Sequence, residues 1–176
     1  NKFTEFYRDL WLFIYFCNGI NVADLINLKF SDIQNGEISF IREKTKDRTR
    51  DTKRIYAPIT PEMQSIIEKW GNNLRKSIYI FPFMKAGDDA WEHEKKKKNL
   101  TKHINDRMKV IGEKLNIGKI TTYVARHTYA TVLRNEGVPV SIISPMLGHT
   151  SITTTEIYLA DLESENRARN ASLLSF

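Results

Sequence analysis

The chain has 176 residues, 41% hydrophobic and 27% charged, which suits one globular domain with a real core, or at most two small ones, and excludes a disordered composition. Its net charge of +6 points to a polyanionic partner, most simply nucleic acid, while the single cysteine, Cys17, rules out an internal disulfide framework and fits a reducing, intracellular setting. The longest apolar run, LWLFIYFC at 10–17, is far below the roughly 20 residues a membrane span needs, so no membrane is expected.

The sequence begins at Asn1 rather than Met, which leads to the expectation of a fragment of a longer protein. A first helix is expected after Thr4, with Phe6, Leu10, Phe13 and Cys17 on its core face, and Asn18-Gly19 breaks it. A short helix, VADLINL, follows, with Asn21 as N-cap and Asp24 at its third position. GEISFI (36–41) and KRIYAPI (53–59) read as strands, separated by the charged loop REKTKDRTRD. Thr60-Pro61 starts a helix that carries Met63, Ile66, Ile67 and Trp70 on one stripe and ends at Gly71. IYIFPFM (78–84) contains Pro82, so it reads as a packed extended segment or an edge strand. Residues 85–99, KAGDDAWEHEKKKKN, show no periodicity and read as a mobile loop whose Lys95–Lys98 run is either a solvated face or a contact to a DNA backbone.

Leu100, Ile104, Met108, Ile111 and Leu115 then mark a long amphipathic helix. TTYVARHTYATVLRNEG (121–137) is the next, capped by Thr121 or Thr122 and closed by Gly137. VPVSIISPML continues helically, with a kink expected at Pro145 and an end at Gly148. SITTTEIYL (151–159) reads as one more short helix and 161–174 as a last, weaker one. The sum is a single domain over 1–176, α+β and mainly α-helical, with a small antiparallel sheet. The four histidines (His93, His103, His127, His149) show no zinc-like spacing with one another or with Cys17, so no metal is expected.

Three places carry chemistry. Arg126 lies on the apolar-spaced face of its helix, with Ala130 and Leu133 at +4 and +7, and a buried cation calls for an anion. A helix start favours a phosphate as that anion. The loop from Arg42 to Arg54 holds seven basic residues (Arg42, Lys44, Lys46, Arg48, Arg50, Lys53, Arg54) against three acidic ones, a concentrated positive field suited to DNA phosphates. His149 follows a helix-ending glycine and precedes Tyr158 by nine residues. Taken singly, Tyr158 reads as an interface aromatic, His149 as a cap and Lys44 as one solvated charge among many. Their order with Arg126 is what favours function.

ARHTYAT, LGHTSITTTEIY and REKTK resemble the catalytic domain of the tyrosine recombinases, the phage integrase family. NGINVADLINLKFSDI resembles that family's first box and YIFPF its mid-domain segment, so the likeness runs through essentially the whole chain in order. The resemblance implies a site-specific recombinase or integrase of a mobile genetic element, acting on double-stranded DNA through a 3′-phosphotyrosine. Tyr158 would be the nucleophile, with Arg126 bracing the phosphate, His149 hydrogen-bonding it and Lys44 protonating the departing 5′-oxygen. No Mg²⁺ or other cofactor is implied, because side chains supply the cations. It further implies a monomer when free and a homotetramer on DNA, with residues 161–174 docking on a neighbour. N-terminal DNA-binding domains outside this chain, accessory DNA-bending or directionality proteins, and a bacterial cytoplasmic setting are implied as well.

Two positions depart from the pattern. Tyr123 stands where the family has a histidine three residues before the helix arginine, and a phenol is a poor base at neutral pH. Asn21 stands where the first box has an arginine; some mobile-element integrases share such a replacement. Strand alternation would put Phe40, Arg42 and Lys44 on one face, so Arg42 is the candidate to supply the missing guanidinium. His127 reads as structural or as a support behind the residues that touch the phosphate. The competing readings are a type IB topoisomerase and an inactive DNA-binding relic.

Overall fold

The computed structural model of the chain describes residues 1–45 and 53–160. Helix α1 (Lys2–Phe16) starts earlier than expected, because the Asn1 side chain accepts a hydrogen bond from the Phe3 amide at 2.9 Å and caps it. Leu10, Phe13, Ile14 and Cys17 are fully buried, and α1 runs through the middle of the fold. The short α2 (Val22–Leu25) follows. Strands β1 (Ile33–Gln34), β2 (Glu37–Phe40) and β3 (Ile55–Pro58) form an antiparallel sheet in the order β1-β2-β3. The two-residue β1 escaped the sequence reading. Asn35 and Gly36 both take positive φ, 51° and 78°, the backbone that an Asn-Gly hairpin turn needs.

Helix α3 (Pro61–Trp70) is capped by Thr60 and packs on α1. Residues 78–84 form a packed extended segment: Ile78 and Ile80 pair with Phe30 and Leu28 through backbone bonds of 2.9 and 2.8 Å, without entering the sheet. Helix α4 (Ala90–Lys114) overturns the expected loop over 90–99 and leaves 85–89 as the connection. Asp89 caps it through the Glu92 amide at 2.8 Å, and Lys96–Asp88 and Lys97–Glu94 pairs brace its first turns. From Glu92 to Asn99 the residues of those turns are polar, and none is buried before Leu100, so they have no apolar stripe to reveal them.

Helices α5 (Thr122–Asn135) and α6 (Val140–Met146) follow, and residues 152–160 are helical (α7). Pro145 sits in the last turn of α6, which stops one residue later. The expected helix at 161–174, and Lys46, Arg48 and Arg50, lie outside the described residues. A main core gathers α1, α2, the sheet, α3 and α4, and a smaller one joins Ala130, Ile143, Leu147 and Leu159 from α5, α6 and α7. Helix α5 contributes to both, so its residues sit at the seam.

The α1–α3 contact is pinned by Asp9, only 5% exposed, which accepts from Trp70 Nε1 at 2.8 Å and Lys69 Nζ at 3.1 Å. Burial alone would raise its pKa, but the hydrogen bonds from Trp70, Arg8 and Lys69 prevail and lower it. Asp9→Ala should therefore destabilise the chain by about 1–3 kcal/mol in chemical denaturation, the usual cost of a buried group left without its partner. A depressed folded pKa gives a contribution that is complete above the ordinary carboxylate range and is lost as pH falls through the folded value. The wild-type and Asp9→Ala stabilities should accordingly converge in acid.

Candidate active site

The N-terminus of α5 is fixed from two sides. Trp11 Nε1 on α1 donates to the Thr121 carbonyl at 2.7 Å, and the Thr122 amide donates to Asn105 Oδ1 on α4 at 2.8 Å. The Thr121 hydroxyl caps the Val124 amide at 3.3 Å. These amides are satisfied from within, so the helix end is not the open anion site expected from its position. The first cation of the helix, Arg126, lies one turn further in.

Arg126 is 7% exposed. Its Nη1 donates to the Gly19 carbonyl at 2.9 Å, and its Nη2 donates to the Leu147 carbonyl and lies 3.3 Å from His149 Nε2. Gly19 holds φ at +63°, and a Cβ there would stand 2.7 Å from Arg126 Cα, so both conformation and space demand glycine. Burial, with Arg42 nearby, pushes the Arg126 guanidinium down to about 10, which leaves it charged at neutral pH.

His149 follows Gly148, whose φ of +66° turns the chain out of α6. Its Nδ1 lies 2.9 Å from Thr155 Oγ1. Burial, then the charges of Arg126 and Arg42, lower His149 to about 4. Tyr158 on α7 is half-buried, with its ring 4.8 Å from His127 and 5.8 Å from His149, centroid to centroid. Tyr123, 59% exposed, lies 6.3 Å from Tyr158 and 3.7 Å from His127, which stands between the two phenols. His127 thus joins the aromatic group rather than the core.

Arg42 reaches the same place by another route than the one expected. Strand β2 ends at Phe40 and Glu43–Thr45 form a 3₁₀ turn, so period-2 alternation does not extend to Lys44. Arg42 instead donates through Nη1 to the Gly148 carbonyl at 3.1 Å. Lys44 is exposed on the turn. Lys53 is exposed, and Arg54 donates to the Ser39 carbonyl and hydroxyl, both at 3.2 Å, which ties it across the hairpin.

In the sequence Asp24 is only a helix-start residue, and the structure gives it more to do. It is 6% exposed, and its Oδ1 accepts from the Glu43 amide at 2.7 Å, which anchors the turn bearing Lys44. Burial raises its pKa, while the Glu43 amide and the Arg42 charge oppose the rise. Its place between Val22 and Leu25, both buried, was the available signal that it points inward. Asn21 does not cap α2 with its side chain; its Nδ2 is 3.5 Å from Asp24 Oδ2. It also lines a cavity of about 90 Å³ with Gly19, Tyr123 and Arg126.

The sequence profile of the phage integrase family matches residues 4–165. A tyrosine recombinase XerA from Pyrococcus furiosus is 30% identical over 153 residues, 85% of this chain and 48% of that protein. The chain thus spans about half the length of the curated relatives it matches. The crystal structure of a XerA recombinase superposes with a TM-score of 0.58 at 22% identity, over 93% of this chain and 62% of that one. A lambda integrase dimer bound to a core site gives 0.60 at 18% identity, over 87% and 51%. These likenesses establish the fold: a mainly helical recombinase catalytic domain with a small antiparallel sheet.

The contact between Gly19 and Arg126 generates a test. Gly19→Ala should cost about 2–4 kcal/mol, combining left-handed backbone strain with overpacking against a helix backbone. Chemical denaturation would measure it, and a loss below about 1 kcal/mol would show that α5 can shift to make room.

Proposed function

The chain belongs to the phage integrase family, and on that footing we propose that it is the catalytic domain of a site-specific DNA recombinase that breaks and rejoins strands through a 3′-phosphotyrosine at Tyr158. The observation that carries this reading is the convergence of Arg126, His149, Arg42 and Tyr158 at one seam, although they come from four separate segments. Tyr158 attacks the phosphorus in line and the 5′-oxygen leaves, taking a proton from Lys44. Storing the phosphodiester as a phosphotyrosine means that rejoining needs no ATP. Arg126 holds the non-bridging oxygens where charge accumulates, and His149 hydrogen-bonds the same phosphate. The side chains supply the positive charge that a metal ion provides in other phosphoryl transfers.

Double-stranded DNA is the substrate, gripped by Lys44, Lys46, Arg48, Arg50, Lys53 and Arg54 through its phosphates. We place the domain in a longer bacterial, cytoplasmic protein whose N-terminal part completes a clamp, monomeric when free and tetrameric on paired sites. Accessory DNA-bending proteins fit the same scheme. Among the described residues no helix is long and apolar enough to cross a membrane. The deciding experiment is a nicked suicide substrate that traps the covalent adduct. Tyr158→Phe should abolish the adduct and leave DNA binding largely intact, since the ring and its packing survive. An adduct that persists in Tyr158→Phe would sink the assignment and direct attention to Tyr123.

Arg42 supplies the guanidinium that Asn21 cannot. Its charge is felt by both Arg126 and His149, whose proton affinities it lowers, which supports its place in the pocket. Arg42→Ala should slow cleavage on the order of 10²–10³-fold, the usual loss for one transition-state donor, with little change in DNA affinity. Asn21→Arg in that variant should restore part of the rate, because the cavity beside Asn21 opens towards Arg126 and Tyr123. Near wild-type cleavage by Arg42→Ala would end the proposal.

A further inference from the structure

The run Thr153-Thr154-Thr155 lies between His149 and Tyr158, and its members are not equivalent. Thr153 and Thr154 are exposed, whereas Thr155 is fully buried and sets its hydroxyl 2.9 Å from His149 Nδ1. Thr155 is also one helical turn before Tyr158, on the same side of α7. Its hydroxyl therefore links the imidazole to the helix that carries the nucleophile.

The proton on His149 follows from its two neighbours. A guanidinium has only donors, so Arg126 Nη2 at 3.3 Å requires a lone pair on His149 Nε2. A neutral imidazole with its lone pair on Nε2 carries its proton on Nδ1, and Nδ1–H then donates to Thr155 Oγ1. The other tautomer would oppose an N–H of the ring to an N–H of arginine, and the imidazolium would do the same while adding charge repulsion. The low proton affinity of His149, about 4, agrees with a neutral ring.

A neutral Nδ1–H imidazole offers the pocket a lone pair and no donor at Nε2. It cannot by itself hydrogen-bond a phosphate oxygen. It can take a proton, and the phenol of Tyr158, whose ring is 5.8 Å away and lies 4.8 Å from His127, has one to lose. Tyr123, standing where a histidine would be expected, is a phenol and accepts poorly. The donor count on Arg126 completes the logic. Both Nη2 hydrogens are engaged, by the Leu147 carbonyl and His149 Nε2, so a phosphate gripped through Nη2 displaces the longer contact and releases Nε2 as the substrate arrives.

We propose that Thr155 is a positioning residue that holds His149 as the Nδ1–H tautomer, so that His149 Nε2 receives the phenolic proton of Tyr158 during cleavage. The proposal rests on the strand-transfer reading above and adds the proton's destination. In the step, the Tyr158 O–H bond breaks with its proton passing to Nε2, the tyrosyl oxygen bonds to phosphorus, and the P–O5′ bond breaks as O5′ takes a proton from Lys44. The new Nε2–H then donates to the phosphate, which is how His149 comes to bind it. Rejoining returns the proton to Tyr158.

The test pairs spectroscopy with kinetics. In the chain labelled with ¹⁵N-histidine, the His149 shifts should show a protonated Nδ1 and a bare Nε2 in wild type and in Thr155→Ser, and a loss of that preference in Thr155→Val. On the suicide substrate at saturating DNA, Thr155→Val should cleave on the order of 10–10²-fold more slowly, within the range for impaired proton transfer, with DNA affinity unchanged. Thr155→Ser should stay near wild type. A fluorinated tyrosine at 158, whose more acidic phenol needs less help, should recover much of the Thr155→Val loss, which a merely structural defect would not allow. A wild-type His149 protonated at Nε2 overturns the proposal even if Thr155→Val does not fold. So does a Thr155→Val chain that cleaves at the wild-type rate, or one that the acidic phenol leaves unimproved. Failure of the wild type to form any adduct would instead remove the strand-transfer reading and the proton transfer with it, while the ¹⁵N shifts would still decide the tautomer.

Discussion

The fold turns on one buried cation. Arg126 bridges the Gly19 carbonyl at the end of α1 and the Leu147 carbonyl at the end of α6, and so joins the main core to the smaller one. Removing a guanidinium from water is expensive unless its hydrogens are satisfied, and here they are met by neutral groups. That choice has a functional meaning. A carboxylate partner would cancel the charge, whereas carbonyl dipoles and a neutral imidazole solvate it and leave it available to an incoming anion. Arg42, held by the neighbouring Gly148 carbonyl, deepens the same positive field.

The Asn18-Gly19 turn is the reason this bridge can form. Both residues adopt left-handed φ, 53° and 63°. The buried Asn18 side chain donates to the Tyr56 carbonyl of β3 at 2.9 Å and accepts from the Tyr129 hydroxyl of α5 at the same distance. One dipeptide therefore fixes the sheet, the helix bearing Arg126 and a carbonyl that Arg126 needs. As sequence, the pair reads only as a helix breaker, because its partners lie 38 and 111 residues away.

That contrast describes what was legible. Arg126, Gly148, His149 and Tyr158 were readable because glycine stops, helical spacing and motif order are local signals, and the likeness to a family linked them. The first turns of α4 were not, since a helix held by a cap and ion pairs outside the core has no apolar period. The strand alternation that points to Arg42 ends at Phe40, yet the pocket holds Arg42 through a contact 106 residues distant. Thr155 looked like either of its threonine neighbours until burial distinguished it. The role of Asp24 is hidden because its partner, the Glu43 amide, lies 19 residues away in the turn after β2.

Asp24 links the hairpin to the segment around Asn21. One carboxylate oxygen fixes the turn after β2 and the other faces Asn21, so the same side chain touches both places from which a second guanidinium could enter. An arginine at 21 would stand beside Asp24 and Arg126 together. With asparagine there, the charge of Arg42 still acts on Asp24 and opposes the rise that burial causes. The pocket then keeps two guanidiniums, at 42 and 126, drawn from the hairpin and from α5. Arg42 thus ties the charge of the pocket to the same short segment that carries Lys44, two residues further along the hairpin.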